Sequence, residues 1–303
     1  MRCVQTIRHV LMTRGSANKV VSTETVAALC MIASAIGHAV MNVYNKGASD
    51  IVLFRAVFLS ISASCSIPFL FFLPFPTAQV WIHLGISLII HAGYTYFMLN
   101  ALQKGDLGLV YPIMRGLAPI LAAIVALIFL GEQLPALAVL GLVAACVTLI
   151  AFAWPSKGGV LNRTAITYAL LTAVMIACYS VNDAAGARAM GNPLVYIAWF
   201  FVSVSLPIAL TCFWLRQKVF FSEAPKILRN AFLASLIGFS SYTLALYALS
   251  LAPVGLMVSL RETSVVFGAI LATVILKEPF GQRRIILAAV LAICLILMQL
   301  GAS

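Results

Sequence analysis

The chain has 303 residues, of which 63% are hydrophobic and only 9% are charged, and its formal net charge is +11. Soluble domains carry about 25% charged residues, so this composition excludes an ordinary soluble fold. A basic soluble protein would suggest a nucleic-acid partner. Here we expect the lysines and arginines to lie in tails and loops beside phospholipid headgroups instead. The composition therefore predicts an integral membrane protein that contacts the lipid bilayer and no nucleic acid.

Ten apolar runs follow a basic tail at residues 1–22, which lacks the long apolar core of a signal peptide. Each is about 20 residues long, the length at which a helix crosses the ~30 Å hydrocarbon core of a bilayer. In chain order they lie at residues 23–43, 51–73, 80–102, 107–130, 134–154, 164–184, 194–215, 231–251, 254–276 and 285–300. The longest connection, at residues 216–229, is too short for a soluble domain. The pattern predicts an all-α integral membrane fold with ten transmembrane helices, in a cell membrane and specifically in the bacterial inner membrane.

An internal repeat relates the two halves of the chain. Residues 115–132 align without a gap on residues 261–278. The matched pairs are Arg115 with Arg261, Glu132 with Glu278 and, at a slightly different offset, Tyr94 with Tyr242. Because an odd number of spans separates the partners, the two five-helix repeats, at residues 23–154 and 164–303 with a loop at 155–163, are predicted to have opposite orientations. Inverted repeats are typical of alternating-access transporters. A duplication retained for packing alone is the alternative.

Two motifs resemble the EamA-type branch of the drug/metabolite transporter superfamily. The first is YPIMRGLAP at residues 111–119, followed by Gly131 and Glu132, and the second is LRETSVV at residues 260–266, followed by KEP at 277–279. The likeness covers about residues 23–300. It implies five plus five spans around a central cavity. It does not single out a substrate, because members of this family carry amino acids, metabolites, sugar derivatives and drugs.

Arg115 and Arg261 are the charges that most need an explanation. Each lies eight residues into its span, about 12 Å deep, where its side chain cannot easily reach the headgroups. Guanidinium forks suit carboxylate or phosphate, so the pair predicts an anionic or zwitterionic substrate near the midplane. The resemblance agrees, since related plastid carriers hold phosphorylated substrates with basic groups on corresponding helices. The alternative is neutralisation within the protein, for which Glu262 is the candidate, either facing Arg115 or taking up a proton.

Further residues of the site are predicted from their place on the presumed cavity helices. Tyr94 and Tyr242 are expected to wall the substrate, because they are repeat partners. The weaker cavity candidates are His38, Asn42, His91, Tyr179 and Asn182. A lone histidine in a helix is more often a structural group than a proton relay.

The remaining polar positions receive structural interpretations. We expect Arg55 to reach the headgroups from the start of its span, and Asp183 to be a surface or capping acid at the end of its span. Glu132 and Glu278 are expected to cap the helix that follows each of them. The prolines around the two arginines, Pro112, Pro119 and Pro253, fit broken helices that line a cavity.

The motifs of other functional classes are absent from the sequence. There is no GxxxxGK[ST] phosphate loop, no HExxH, no GxSxG and no metal-spaced cluster, so we expect neither an enzyme nor a cofactor or metal. The predicted function is secondary active transport of a small metabolite by alternating access, driven by protons or by exchange for a counter-substrate. A non-transporting membrane scaffold and a translocator of a lipid-linked intermediate are the alternatives.

The sequence gives conflicting signals about orientation. Loop charges alone place both termini outside, whereas the basic tail before the first span and the family pattern place them in the cytoplasm, which is the orientation we expect. The oligomeric state stays open.

Overall fold

The structure is a computed structural model that describes residues 22–46, 50–105, 107–152, 162–268, 270 and 282–302. Within these ranges the chain is helical and contains no β-strand. Seven helical segments are long and apolar enough to cross a membrane. The prediction of an all-α integral membrane protein is confirmed at this level.

The helices follow the predicted spans closely. They are α1 (Thr23–Lys46), α2 (Ile51–Leu70), α3 (Ala78–Lys104), α4 (Leu107–Leu130), α5 (Ala136–Phe152), α6 (Arg163–Ala189), α7 (Pro193–Phe200), a π-helical turn (Phe201–Ser205), α8 (Leu206–Leu251), α9 (Val254–Arg261) and α10 (Gln282–Ala302). Residues 264–268 are also helical and continue the predicted ninth span.

Short polar residues determine where several helices begin. The side chains of Asp50, Thr77, Asn162 and Asn192 accept hydrogen bonds from the first amides of α2, α3, α6 and α7. Asp50 also pairs with Arg216, with 2.7 Å between its Oδ2 and the arginine Nε. Burial raises the pKa of Asp50, but the hydrogen bonds from the Leu53 amide and Arg216 outweigh it and hold this pKa below its usual value.

The long helical run from α7 to the end of α8 folds back on itself. The rings of Phe201 and Phe239 lie 4.3 Å apart, whereas a straight helix would separate these residues by about 57 Å. The first turns of α2 contact both sides of the bend, since Asp50 pairs with Arg216 while Phe54 packs in one cluster with Ala231. The chain therefore reverses direction between Arg216 and Ala231.

The predicted connection at residues 216–229 is helical in the structure. The segment contains no glycine, and an ion pair joins Glu223 to Lys226 across one turn, 2.7 Å from Oε1 to Nζ. Pro225 is its one strong helix breaker. Helix-favouring residues therefore continue the helical backbone through a segment that links two apolar stretches.

The ninth predicted span is interrupted, and the fourth is not. α4 continues through Pro112 and Pro119, so the expected break beside Arg115 is wrong. α9 begins after Pro253 and ends at Arg261, where Glu262 and Thr263 form a turn before the helix resumes. Pro253 is the residue immediately before α9. Proline is compatible with the start of a helix, so Pro253 precedes α9 without interrupting it.

Close contacts between helices position these elements. α4 and α9 lie side by side in opposite directions, and a Cβ atom on Gly255 would come within 2.8 Å of the Ala123 Cβ. α5 and α10 approach even more closely, because a Cβ on Gly141 would lie 2.6 Å from the backbone nitrogen of Met298. Such small residues allow membrane helices to pack backbone to backbone.

Candidate functional site

The first part of the candidate site surrounds Arg115 in the middle of α4. Arg115 is only 6% exposed, and its Nη1 donates to Oε1 of Glu262 at 3.2 Å. Its Nη2 donates to Nε2 of His38 on α1. Glu262 is fully buried, and its second oxygen has no hydrogen-bond partner among the described residues. The structure thus pairs Arg115 with the acid that the sequence offers as its compensating charge.

Arg261 is buried to a similar extent as Arg115, with 8% of its surface exposed, but its contacts are different. It is the last residue of α9, beside the turn at Glu262. Its guanidinium lies over the ring of Tyr242, 5.5 Å from the ring centre. Among the described residues no carboxylate forms an ion pair with Arg261, and its Nε has no hydrogen-bond acceptor. A buried cation without a carboxylate partner leaves hydrogen-bonding capacity for a ligand.

Asp183 forms the centre of a second polar cluster. It is fully buried, and it accepts hydrogen bonds from Ser87 of α3, Tyr196 of α7 at 3.3 Å and Tyr242 of α8 at 2.9 Å. Nε2 of His91 lies 3.0 Å from its Oδ2. The prediction of a surface or capping acid is therefore wrong. α6 continues to Ala189, so Asp183 lies well inside the helix and faces the interior.

An aromatic row connects the two parts of the site. The ring of His91 stacks on Tyr179 with 4.3 Å between centres and meets the edge of Tyr242 at 6.0 Å. Tyr179 in turn contacts Tyr94 at 5.6 Å. The structure therefore brings together four of the predicted residues, namely Tyr94, His91, Tyr179 and Tyr242, and this row ends at Arg261.

Arg55 lies at the other end of the row, contrary to the expectation that it reaches the headgroups. Its guanidinium lies over the Tyr94 ring at 5.9 Å, and its Nη2 donates to Thr95 at 3.4 Å. Its Nε is buried without a described acceptor. The side chain turns inward because α3 offers an aromatic face and a hydroxyl acceptor next to it.

Two further predicted cavity residues, Asn182 and His38, contact different parts of the site. Oδ1 of Asn182 accepts a hydrogen bond from Nδ1 of His83 at 3.0 Å, and its Nδ2 donates to Ser87, which belongs to the Asp183 cluster. His38 contacts Arg115. The side chain of Asn42 lies outside the described residues.

Glu132 caps a different helix from the predicted one. Gly131 ends α4 with a φ of 67°, a conformation that favours glycine, and Glu132 turns back toward the bundle. Its Oε2 accepts from the Val254 amide, the first of α9, at 2.7 Å, and its Oε1 pairs with Arg188 at 2.7 Å. Arg188 also donates to the carbonyls of Leu249 and Ala252, each at 2.9 Å. The expected cap on α5 is therefore wrong for Glu132, and Glu278 lies outside the described residues.

No group of three or more histidine, cysteine, aspartate or glutamate side chains within the described ranges is placed to hold a metal ion. The candidate site consists of two arginines, an acid paired with one of them, an aromatic row and a buried aspartate with its histidine. Such groups bind and orient charged ligands.

Comparison with known proteins gives one family and one fold. Residues 163–300 match the model of the EamA-like transporter family. No curated protein matches the sequence. Among solved structures 28 chains match, and one, described as "Crystal structure of protein", is 20% identical, with 93% of this chain and 98% of that chain covered and a TM-score of 0.73. At this identity the likeness shows a shared fold.

Proposed function

Residues 163–300 match the model of the EamA-like transporter family, and from this premise we propose that the protein is a secondary carrier of a small anionic or zwitterionic metabolite. The predicted resemblance to the EamA-type branch of the drug/metabolite transporter superfamily is confirmed by this match. The protein is a multi-pass integral membrane protein, and a family of transporters points against enzymatic activity.

The environment of Arg261 is the observation that carries the proposal. Burying a charge in a membrane protein is costly unless another charge or a ligand compensates it. Among the described residues around the interruption after α9, Glu262 contacts Arg115, whereas the Asp183 carboxylate is separated from Arg261 by the Tyr242 ring, so Arg261 is the cation that no carboxylate contacts. A substrate carboxylate or phosphate would supply the missing negative charge and accept hydrogen bonds from the free donors of Arg261. The Tyr242 ring would contact the face of the Arg261 guanidinium and fix its position while its N–H groups bind the anion.

The proposed architecture is ten spans in two inverted five-helix repeats, at residues 23–154 and 164–303. The reversal within α8 supports it, because the single run Pro193–Leu251 then supplies two passes through the membrane. The antiparallel packing of α4 against α9 is what inverted repeat partners would produce. We place the carrier in the bacterial inner membrane with cytoplasmic termini, working by alternating access.

The polar contacts at one end of the bundle fit this mechanism. Glu132 of the first half joins Arg188 and Val254 of the second half, so these contacts close that end between the halves. In an alternating-access carrier the ion pair between Glu132 and Arg188 breaks when that side opens. The proposed cycle therefore includes a state in which Glu132 and Arg188 are apart.

Ligand-dependent thermal stability of the purified protein in detergent tests the proposal. The ligands are amino acids, organic acids, phosphorylated metabolites and cationic drugs, and the variants are Arg261→Ala and Arg261→Lys. Arg163→Ala is the matched control, because Arg163 is exposed at the start of α6. A ligand at 100 times its Kd should stabilise the protein by about 2.7 kcal/mol. We expect an anionic or zwitterionic compound to stabilise the wild type and the control, Arg261→Lys weakly, and Arg261→Ala not at all.

The other outcomes identify the alternatives. Equal stabilisation of Arg261→Ala and the wild type would show that the ligand binds elsewhere. If no compound stabilises a well-folded wild type, a non-transporting scaffold is favoured. If only lipid-linked phosphates stabilise it, the protein is a translocator of such intermediates.

A further inference from the structure

The environment of Asp183 combines complete burial with an unusual number of ionisable and hydroxyl neighbours. Its carboxylate receives hydroxyl donors from α3, α7 and α8, and an imidazole from α3. Its own helix contributes Tyr179, whose ring stacks on His91. Arg261 at the end of α9 lies on the far side of the Tyr242 ring, and Glu262 next to it pairs with Arg115 of α4. No described lysine or arginine pairs with Asp183 directly.

We propose that the Asp183–His91 pair is the proton-binding site of the carrier. This inference rests on the proposed transport function and names its coupling ion. Three hydroxyl groups donate to this carboxylate, and with the carboxylate ionised and His91 neutral the pair carries one negative charge. A proton taken up by the imidazole makes the pair neutral overall. The only bond that forms is N–H on His91, and release of the proton reverses the step.

The structure also indicates which nitrogen takes the proton. Nε2 of His91 points at Asp183, at 3.0 Å, so in the neutral ring this nitrogen carries the hydrogen and donates it to the carboxylate. The incoming proton then binds Nδ1. The His91 side chain keeps 13% exposure and Asp183 keeps none, so His91 is the partner that a proton can reach.

Glu262 is a poorer choice for this role. Its carboxylate contacts Arg115 at 3.2 Å, and protonating it would remove that counter-charge. Protonating the Asp183–His91 pair removes a buried negative charge that no described lysine or arginine contacts, whereas protonating Glu262 would break its ion pair with Arg115. Glu262 therefore serves as a permanent counter-charge, whereas the Asp183–His91 pair gains and loses a proton.

Tyr242 links the proton to the substrate. Its hydroxyl donates to Asp183 at 2.9 Å, and its ring face lies 5.5 Å from the guanidinium of Arg261. An imidazolium at His91 adds positive charge one ring away from Arg261 and so attracts an anion to the same region. The Tyr242 ring centre lies 6.0 Å from the His91 ring centre and 5.5 Å from the Arg261 guanidinium, so the two cations are at most about 11.5 Å apart. With an effective dielectric constant near 20, charges at that separation change affinity about tenfold. The proton and an anionic substrate should therefore bind together.

Nitrogen NMR of ¹⁵N-histidine-labelled protein in detergent tests the site without any substrate, because the chain has only four histidines. Between pH 5 and 9 we expect the His91 imidazole to change charge, and its signals are identified by their absence from the spectrum of His91→Gln. His83→Gln is the matched control, since His83 lies on the same helix and bonds to Asn182 instead of Asp183. In the control the transition should remain.

Two further variants test the carboxylate and the coupling. In Asp183→Asn the transition should move at least one pH unit toward acid, because the imidazolium loses its counter-charge. If Asp183→Asn does not fold, Tyr242→Phe keeps the ring, frees the carboxylate of one donor and should move the transition toward base. In Arg261→Ala the transition should also move toward base, by about one pH unit, because a repelling charge is gone.

Several results would overturn the proposal: a constant charge on His91 between pH 5 and 9, or a transition that neither Asp183→Asn nor Tyr242→Phe displaces. An unmoved transition in a folded Arg261→Ala protein would disprove the link to the substrate site. Because the titration uses no ligand, its failure is distinguishable from a failure to find a transported anion.

Discussion

Replacing Glu132 by alanine should weaken the contacts that hold α4, α6, α8 and α9 together at one end of the bundle. The carboxylate caps α9 through the Val254 amide at 2.7 Å, and Pro253 provides no side-chain cap. Losing a cap costs about 1 kcal/mol. The ion pair with Arg188 adds less, about 0.5 to 1 kcal/mol, because the Arg188 side chain is 33% exposed and solvent screens the pair. We therefore expect Glu132→Ala to lower the free energy of unfolding by about 2 kcal/mol.

Unfolding of the purified protein in mixed detergent micelles measures this difference. Glu132→Gln keeps an acceptor for Val254 and loses only the charge, so it should cost less than half as much as Glu132→Ala. A double-mutant cycle with Arg188→Ala isolates the ion pair, and its coupling energy should be about 0.5 to 1 kcal/mol. A Glu132→Ala protein as stable as the wild type, or a coupling energy of zero, would refute the assignment of these contacts.

Three other perturbations have expected results. Glu262→Gln should destabilise the protein by about 3 to 5 kcal/mol in the same unfolding assay, because it breaks the buried ion pair with Arg115, and replacing both residues by methionine should recover most of the loss. Gly141→Val should cost at least about 1 to 3 kcal/mol, since the new side chain meets the backbone of Met298, while a valine at the uncrowded Gly85 should cost less. Because the pKa of Asp50 is depressed, its contribution is present above the unfolded value near 3.9 and is lost as the pH falls through the folded value. Asp50→Asn should remove that part of the acid sensitivity, which thermal unfolding between pH 3 and 6 would measure.

The apolar runs were sufficient to place most helices, because the thickness of the bilayer fixes the length of a spanning segment. α4 starts and ends at the predicted residues, and α3 and α5 differ from their predictions by two residues at each described end. Continuity was harder to predict. Apolar length does not reveal that polar residues after Arg216 stay helical, or that the ninth span stops at Arg261, since both depend on local hydrogen bonding.

The position of a charged residue within an apolar run of the sequence did not predict which side chains it contacts. Arg55 and Asp183 both lie near predicted span ends, and the structure turns both inward, because helix rotation and neighbouring donors decide where a side chain points. One available signal was missed. His83, Ser87 and His91 recur every four residues along the third span, so they share one face, and Asn182 and Asp183 are the natural partners for a polar face in a membrane.

The antiparallel pair of α4 and α9 has a consequence for motion in the proposed carrier. α9 is tied to α4 at both ends, through Glu132 at Val254 and through Arg115 at Glu262, and Gly255 seats it directly on Ala123 in between. α9 has eight residues and is about 12 Å long. While the contacts at both of its ends persist, it can tilt only together with α4. In the proposed cycle the two helices would then move as one unit and keep both arginines at the same depth in the membrane. The aromatic side chains of α3, α6 and α8 would then move relative to Arg115 and Arg261. A bound anion would become accessible from the other side of the membrane without leaving the two arginines.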